Sequence, residues 1–209
     1  MCKLKSAIIL KDDIFMPDYD SHGDMLRELG IEDTRANAER LFVRAELSPA
    51  NGDEFSPIDT WVFKVDQDMR PDWFVESYEE GRMRDAVKKW AKEHIHIGVD
   101  GLKIRAGSNH YIKDCTDVEI YGNSTIKNVY DNSTIEYVYD NSTIKYVYGN
   151  STIKNVHGNS TIISSLYSDW NNKDKFILSE NATFKDNRTK TIYQSGDWKL
   201  QIVKDGTIS

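Results

Sequence analysis

Between Tyr121 and Ile162 the hydrophobic and polar positions recur every nine residues. The first unit runs Tyr121-Gly122-Asn123-Ser124-Thr125-Ile126-Lys127-Asn128-Val129, the next three open at Tyr130, Tyr139 and Tyr148, and a shorter copy opens at His157. Asn-Ser-Thr-Ile returns in all of them, and Val closes the first four. A fixed period this short calls for a stacked architecture, and nine residues are too few for a helical hairpin repeat. Ser-Thr-Ile favours strand and Gly/Asp-Asn favours a turn, so each unit is read as one short strand and one corner. Alternation places Ile126 and Ser124 on the inner face and Thr125 and Lys127 outside. Val129, three residues beyond Ile126, reaches the interior only if the chain bends near Asn128. Two units per coil give about eighteen residues and two facing sheets; three give a triangular coil of about twenty-seven. The placement of Asp131 and Asp140 where other units carry Gly, and of Tyr137 and Tyr146 where others carry Asn, favours two. Tyr121, Tyr139 and His157 then stack on one edge and Tyr130 and Tyr148 on the other. Asn123, Asn141 and Asn159 form one amide ladder, and Asn132 and Asn150 a second.

The flanking segments lack this period. Upstream, Ala7 to Leu10 reads as a strand, and Ser21 to Asp24 has capping-box spacing ahead of a short helix stopped by Gly30. Leu41, Val43, Ala45 and Leu47 alternate as a strand, and Trp61, Phe63 and Val65 as its antiparallel neighbour. A second capping box at Ser77 to Glu80 opens a longer helix with Met83, Ala86, Val87, Trp90, Ala91 and His94 on one stripe. Short strands around Leu102–Arg105 and Tyr111–Lys113 lead into the first coil and are expected to cap it. Downstream, Phe176-Ile177-Leu178, Ala182-Thr183-Phe184, Thr191-Ile192-Tyr193 and Trp198 to Val203 are short β segments, with a hairpin turn at Asp186-Asn187-Arg188-Thr189. The expected organisation is an α+β N-terminal domain over residues 1–110, a short β-solenoid of β-roll or β-helix type over 111–166, and a β-rich C-terminal cap over 167–209.

Charge narrows the partners. The 209 residues carry a formal charge of −7, with 22 acidic and 16 basic residues in positions 1–110, while the repeat holds three of each sign. A neutral repeat gives no basic face for nucleic acid and no rows of carboxylates imitating one. No apolar run approaches a membrane span. The opening Met-Cys-Lys-Leu-Lys-Ser-Ala-Ile-Ile-Leu has too short an apolar core for a signal peptide, so a cytoplasmic location is expected and the Asn-Ser-Thr sequons are by-products of the turn. Cys2 and Cys115 form no redox or metal spacing, and Cys115 reads as a buried structural thiol.

Three features could carry chemistry. Asp18, Asp20 and Asp24, with His22 among them, are spaced like the opening of a calcium loop, but His22 stands at a ligand position and Leu29 cannot supply the final carboxylate. A polar loop running into a helix cap is the competing reading. His94 and His96 could share a strand face and ligate a divalent metal; against this, His94 suits the negative pole of the helix it ends. The Thr column suggests ice binding, yet Lys127, Glu136, Lys145 and Lys154 flank it with flexible charges. The tyrosine edge ranks above these: Tyr121, Tyr130, Tyr139, Tyr148 and His157 form a candidate protein-binding row, against the alternative that the rings only stack on one another.

The Asn-Ser-Thr-Ile nonapeptides, with Tyr111-Ile112-Lys113-Asp114-Cys115 before them and Asn187-Arg188-Thr189-Lys190-Thr191-Ile192-Tyr193 after, resemble uncharacterised repeat proteins of bacteriophages and gut bacteria. The resemblance covers most of the chain and supplies a source but no activity; it implies an intracellular role such as binding or blocking a host defence protein. The expected function is therefore a non-enzymatic interaction scaffold with a protein partner and no cofactor. Alternatives are a structural, homo-oligomer-forming or virion-associated solenoid, and a metal-dependent enzyme or small-ligand binder in the N-terminal domain.

Overall fold

The computed structural model describes residues 5–164, 170–171 and 176–196. They form two compact units, Met1–His96 and Ile97–Ser209. Among the described residues no helix is long and apolar enough to cross a membrane.

In the first unit β1 (Lys5–Leu10), β2 (Ile14–Phe15), α1 (His22–Glu28), α2 (Arg35–Ala38), β3 (Phe42–Ser48), β4 (Val62–Val65) and α3 (Glu76–His94) follow in order. The strands make an antiparallel sheet in the order β2-β1-β3-β4, with β3 and β4 paired through Ala45 and Val65. Residues 41–47 alternate as expected from Val43 onward, but Leu41 lies before the strand and is exposed. Helices cover β1 on both faces, which is why the strand is buried along almost its whole length. Ile8 clusters with Met25 and Leu26 of α1, while the Lys5 ammonium stands over the Trp90 ring of α3, 4.8 Å from its centroid. Ser21 caps α1 by accepting from the Asp24 amide, as its spacing predicts. The capping box at Ser77 does not form. The helix opens at Glu76 with Val75 as an N-cap that offers no side-chain bond, and Glu76 and Glu79 in the first turn complement the helix dipole instead. Met83, Val87, Trp90 and His94 are the buried stripe.

The chain crosses from the first unit to the second within β5 (Ile95–Ile97). The second unit continues with β6 (Lys103–Ile104), β7 (His110–Lys113), β8 (Val118–Ile120), β9 (Thr125–Tyr130), β10 (Thr134–Val138), β11 (Thr143–Val147), β12 (Thr152–Val156), β13 (Thr161–Ser164), β14 (Ile177–Leu178), β15 (Thr183–Asp186) and β16 (Thr191–Gln194). Alternate strands fall into two sheets, one ordered β14-β12-β10-β8-β6 and the other β16-β15-β13-β11-β9-β7-β5. All neighbours from β6 to β15 are parallel, and Thr143 pairs with Thr125 and Thr161, Thr134 with Thr152. The unit is a β-solenoid of about five turns with two nonamers per coil, so successive coils lie about 4.8 Å apart.

The interior explains the nonamer position by position. Ile126, Val129, Ile135, Val138, Ile144, Val147, Ile153, Val156 and Ile162 are all buried in one core. The residues between Ile and Val point outward, which requires the expected bend. Ser124, Ser133, Ser142, Ser151 and Ser160 are fully buried beside the corners. Their hydroxyls donate to backbone carbonyls, those of Ser124 and Ser133 to the preceding tyrosine (2.6 and 2.8 Å) and those of Ser142, Ser151 and Ser160 to the corner residue of the coil before (3.3–3.4 Å). A buried hydroxyl without such a bond would cost about 1–3 kcal/mol. Cys115 takes this place in an upstream unit the sequence disguises: it is buried, and its amide donates to Ser133 Oγ at 3.3 Å.

The Gly/Asp alternation has a backbone origin. Gly122, Asp131, Asp140, Gly149, Gly158 and Glu180 all hold positive φ, between 57° and 68°, where glycine is least strained and aspartate is tolerated. Along one edge the acid of each second coil reaches back to the glycine before it. Asp140 accepts from the Gly122 amide at 2.8 Å, and Glu180 from the Gly158 amide at 2.7 Å. A Cβ at Gly158 would lie 2.7 Å from the Asp140 carbonyl oxygen, closer than backbone allows.

The solenoid also runs further than the repeat is legible. Ser179-Glu180-Asn181-Ala182-Thr183-Phe184 occupies the rung above His157 to Ile162, with Thr183 on Thr161 and Phe184 on Ile162. The coil joining them is longer, 22 residues instead of 18 between equivalent asparagines, and Trp170 packs into the core with Phe184. Thus β14 and β15 are parallel rungs rather than a separate cap, and among the described residues β16, antiparallel to β15, forms the expected hairpin. The segment Trp198 to Val203 lies outside the described residues.

Candidate functional site

Each corner begins with an aromatic residue whose amide bonds to the coil before: the Tyr139 amide donates to the Ile120 carbonyl, Tyr148 to Val129 and His157 to Val138, at 2.8–2.9 Å. The backbone therefore fixes the rings in register. Tyr121, Tyr139 and His157 stack with centroids 5.1 and 5.2 Å apart and planes within 13°. On the other edge Tyr130 stacks on Tyr148 at 4.6 Å. Beside each row runs the expected amide ladder, Asn123–Asn141–Asn159–Asn181 at 3.1–3.2 Å and Asn132–Asn150–Asn171 at 2.9–3.5 Å.

Stacking half-buries all five predicted aromatic residues. The exposed rings are their neighbours. Tyr137 and Tyr146 replace the asparagines of other units, point outward from the two sheets and are 36% and 37% exposed. Tyr137 stands 5.4 Å from Tyr139 and 6.2 Å from His157, so one edge carries a four-ring cluster of Tyr121, Tyr137, Tyr139 and His157. Tyr146 leans against Tyr148 at 6.5 Å on the other edge. The sequence signal for these two positions was present in the Asn-to-Tyr exchange.

Polar groups anchor the row. Tyr121 donates its hydroxyl to the Glu119 carboxylate, which also receives Lys103 at 3.1 Å. That hydrogen bond, with desolvation and the carboxylate charge behind it, pushes the Tyr121 phenol up to about 12, and the same bond, followed by that from Lys103, holds Glu119 below the usual carboxylate range. Desolvation, and then the neighbouring Tyr137, raise the Tyr139 phenol as well. Both phenols are neutral donors at ordinary pH. The Arg105 guanidinium covers the outer face of Tyr121 at 5.5 Å, and His157 Nδ1 meets Ser179 Oγ at 2.6 Å. The edge can therefore offer flat aromatic area held in fixed register, which suits protein recognition.

The outer faces of the sheets differ from a flat threonine array. Thr125, Thr143, Thr161 and Thr183 share one column in register, but Lys145 and Lys185 are exposed on the same sheet and Lys127 lies over Tyr111. The second sheet carries Lys154 paired with Glu136.

The metal candidates separate. His94 ends α3 as the competing reading required: its Nδ1 lies 2.8 Å from the Trp90 carbonyl and its ring stacks on Trp90 at 4.9 Å, while Nε2 is 3.6 Å from Asp18. His96 belongs to β5 and so shares no strand face with helical His94. Asp24 pairs with Arg27, and bonds from Ser21 and then Arg27 lower its carboxyl. Asp20 precedes the Ser21 cap. Among the described residues Asp18, Asp20, Asp24, His94 and His96 form no converging ligand group. Comparison of the chain with protein-family models, curated proteins and solved structures finds no match.

Proposed function

We propose that the protein is a non-enzymatic interaction scaffold, in which the solenoid holds the four-ring cluster of Tyr121, Tyr137, Tyr139 and His157 rigidly for a protein partner. The observation that supports this is the exposure of Tyr137 beside an already ordered stack. Tyrosine supplies contact area with little conformational entropy to lose, and here the backbone ladder has ordered the neighbouring rings in advance. The resemblance to phage and gut-bacterial repeat proteins makes a bacterial host protein the natural partner to test first.

The test replaces the exposed rings only. A Tyr137→Ser, Tyr146→Ser double variant leaves the stacked rows and the core in place, so its far-UV circular dichroism and thermal midpoint should stay close to those of the parent. Affinity capture from bacterial lysate, quantified against the parent chain, should lose a partner tenfold or more, in line with aromatic hot spots worth about 2 kcal/mol or more. A folded variant that retains every partner at parental level removes this reading.

A further inference from the structure

One cluster of ligating groups is assembled by the first unit from three distant stretches of chain. His22 opens α1, Glu46 lies on β3 and Asp66 follows β4. One ring nitrogen of His22 and one carboxylate oxygen from each acid all lie within 4.8 Å of one another. His22 is only 9% exposed. Its Nε2 sits 3.2 Å from the Ala45 carbonyl oxygen and donates to it, and its Nδ1 faces Asp66 Oδ2 at 3.7 Å. That separation is longer than a hydrogen bond and within ion-pair range, so a buried ring nitrogen and a carboxylate oxygen face one another directly.

The sheet register adds a second, independent sign. Ser6, Glu46 and Lys64 are cross-strand partners and so share one face. Ser6 Oγ is buried on that face without a hydrogen-bond partner, and Glu46, half-buried beside it, makes no hydrogen bond or ion pair. The Ser6 hydroxyl is thus a buried polar group that protein atoms alone leave unsatisfied on the face that carries Glu46. Lys64 reaches the far oxygen of Asp66 at 3.3 Å and leaves Oδ2 facing His22.

We infer that His22 Nδ1, Glu46 and Asp66 form a divalent metal site of the zinc class. One imidazole and two carboxylates, with water in the remaining position, is a donor set zinc accepts. Two ligands each about 2.0–2.2 Å from zinc lie about 3.4 Å apart in a tetrahedron, so the 3.7 Å gap closes with small side-chain rotations. The bond from Nε2 to the Ala45 carbonyl is the outer-shell contact that fixes tautomer and ring orientation in metal-bound histidines. The site is independent of the aromatic cluster and of the scaffold reading.

The test is calorimetric titration of the tag-free, chelator-stripped full chain with zinc chloride, alongside thermal melts with zinc, magnesium and calcium. The parent should bind one zinc ion and melt several degrees higher with zinc, and magnesium and calcium should shift it little. Glu46→Gln and Asp66→Asn keep shape and hydrogen-bonding capacity on partly exposed residues, so both should fold; each should weaken zinc roughly tenfold or more. Their far-UV circular dichroism without metal should match the parent. A parent that binds no zinc at millimolar concentration overturns the site, and so does zinc binding that persists undiminished in the two variants.

Discussion

Ile144→Ala is expected to destabilise the solenoid unit by about 2–5 kcal/mol. Ile144 is fully buried on β11 and stacks between Ile126 and Ile162 in register. Its removal leaves a void that the rungs cannot close, because backbone hydrogen bonds fix their spacing. The neighbouring Lys145 is exposed, and Lys145→Ala should stay within about 0.5 kcal/mol of the parent. Urea titration followed by hydrogen exchange at the Thr143 and Thr161 amides, which bond to Ser124 and Ser142, reports on this unit. Equal midpoints for the two variants would remove the Ile/Val column from its place in the core.

Trp170→Ala should cost as much or more, about 3–5 kcal/mol, but in a different place. The indole is 4% exposed, stacks on Phe176 at 5.7 Å, meets Phe184 edge-on at 6.0 Å and donates from Nε1 to the Ser151 carbonyl at 2.7 Å. It fills the longer coil that joins β13 to β15. A solenoid is coupled mainly between neighbours, so losing the plug should open the last rung while inner rungs hold. Hydrogen exchange should then accelerate at the Asn181 and Thr183 amides, which bond to Gly158 and Ser160, and stay slow at the Thr143 amide, which bonds to Ser124. Uniform acceleration across the unit would contradict nearest-neighbour coupling.

The central coils were legible because every inner position recurs with the same side chain. Ile, Val and Ser return at fixed offsets, and two nonamers per coil followed from where Asp and Tyr interrupt the pattern. The outer rungs were not legible as rungs. Cys115 stands for Ser, and Ala182 and Phe184 for Ser and Ile, all of which preserve a small or an apolar interior while erasing the motif. The four additional residues around Trp170 then break the period itself. In the first unit the alternation on β3 and the stripe on α3 were readable, whereas the start of α3 was not: Ser77 had the spacing of a cap but sits inside the first turn. The aromatic rows were placed correctly, yet exposure belongs to Tyr137 and Tyr146, since stacking at about 5 Å consumes the faces of the rings in the rows themselves. His22 was visible beside Asp20 and Asp24, but its actual neighbours, Glu46 and Asp66, come from strand pairing that no local spacing encodes.

The coils of the solenoid repeat every 18 residues, and disulfide trapping reads that spacing directly. In a Cys2→Ser, Cys115→Ser background, Thr125→Cys with Thr143→Cys places two outward-facing thiols on adjacent parallel strands, about 4.8 Å apart at Cα and within disulfide range. Thr125→Cys with Thr134→Cys places them on opposite sheets. Mild oxidation should close the first pair nearly completely and leave the second open, as read by thiol labelling and mass spectrometry. Closure of the second pair, or failure of the first, would contradict the stacked-coil structure.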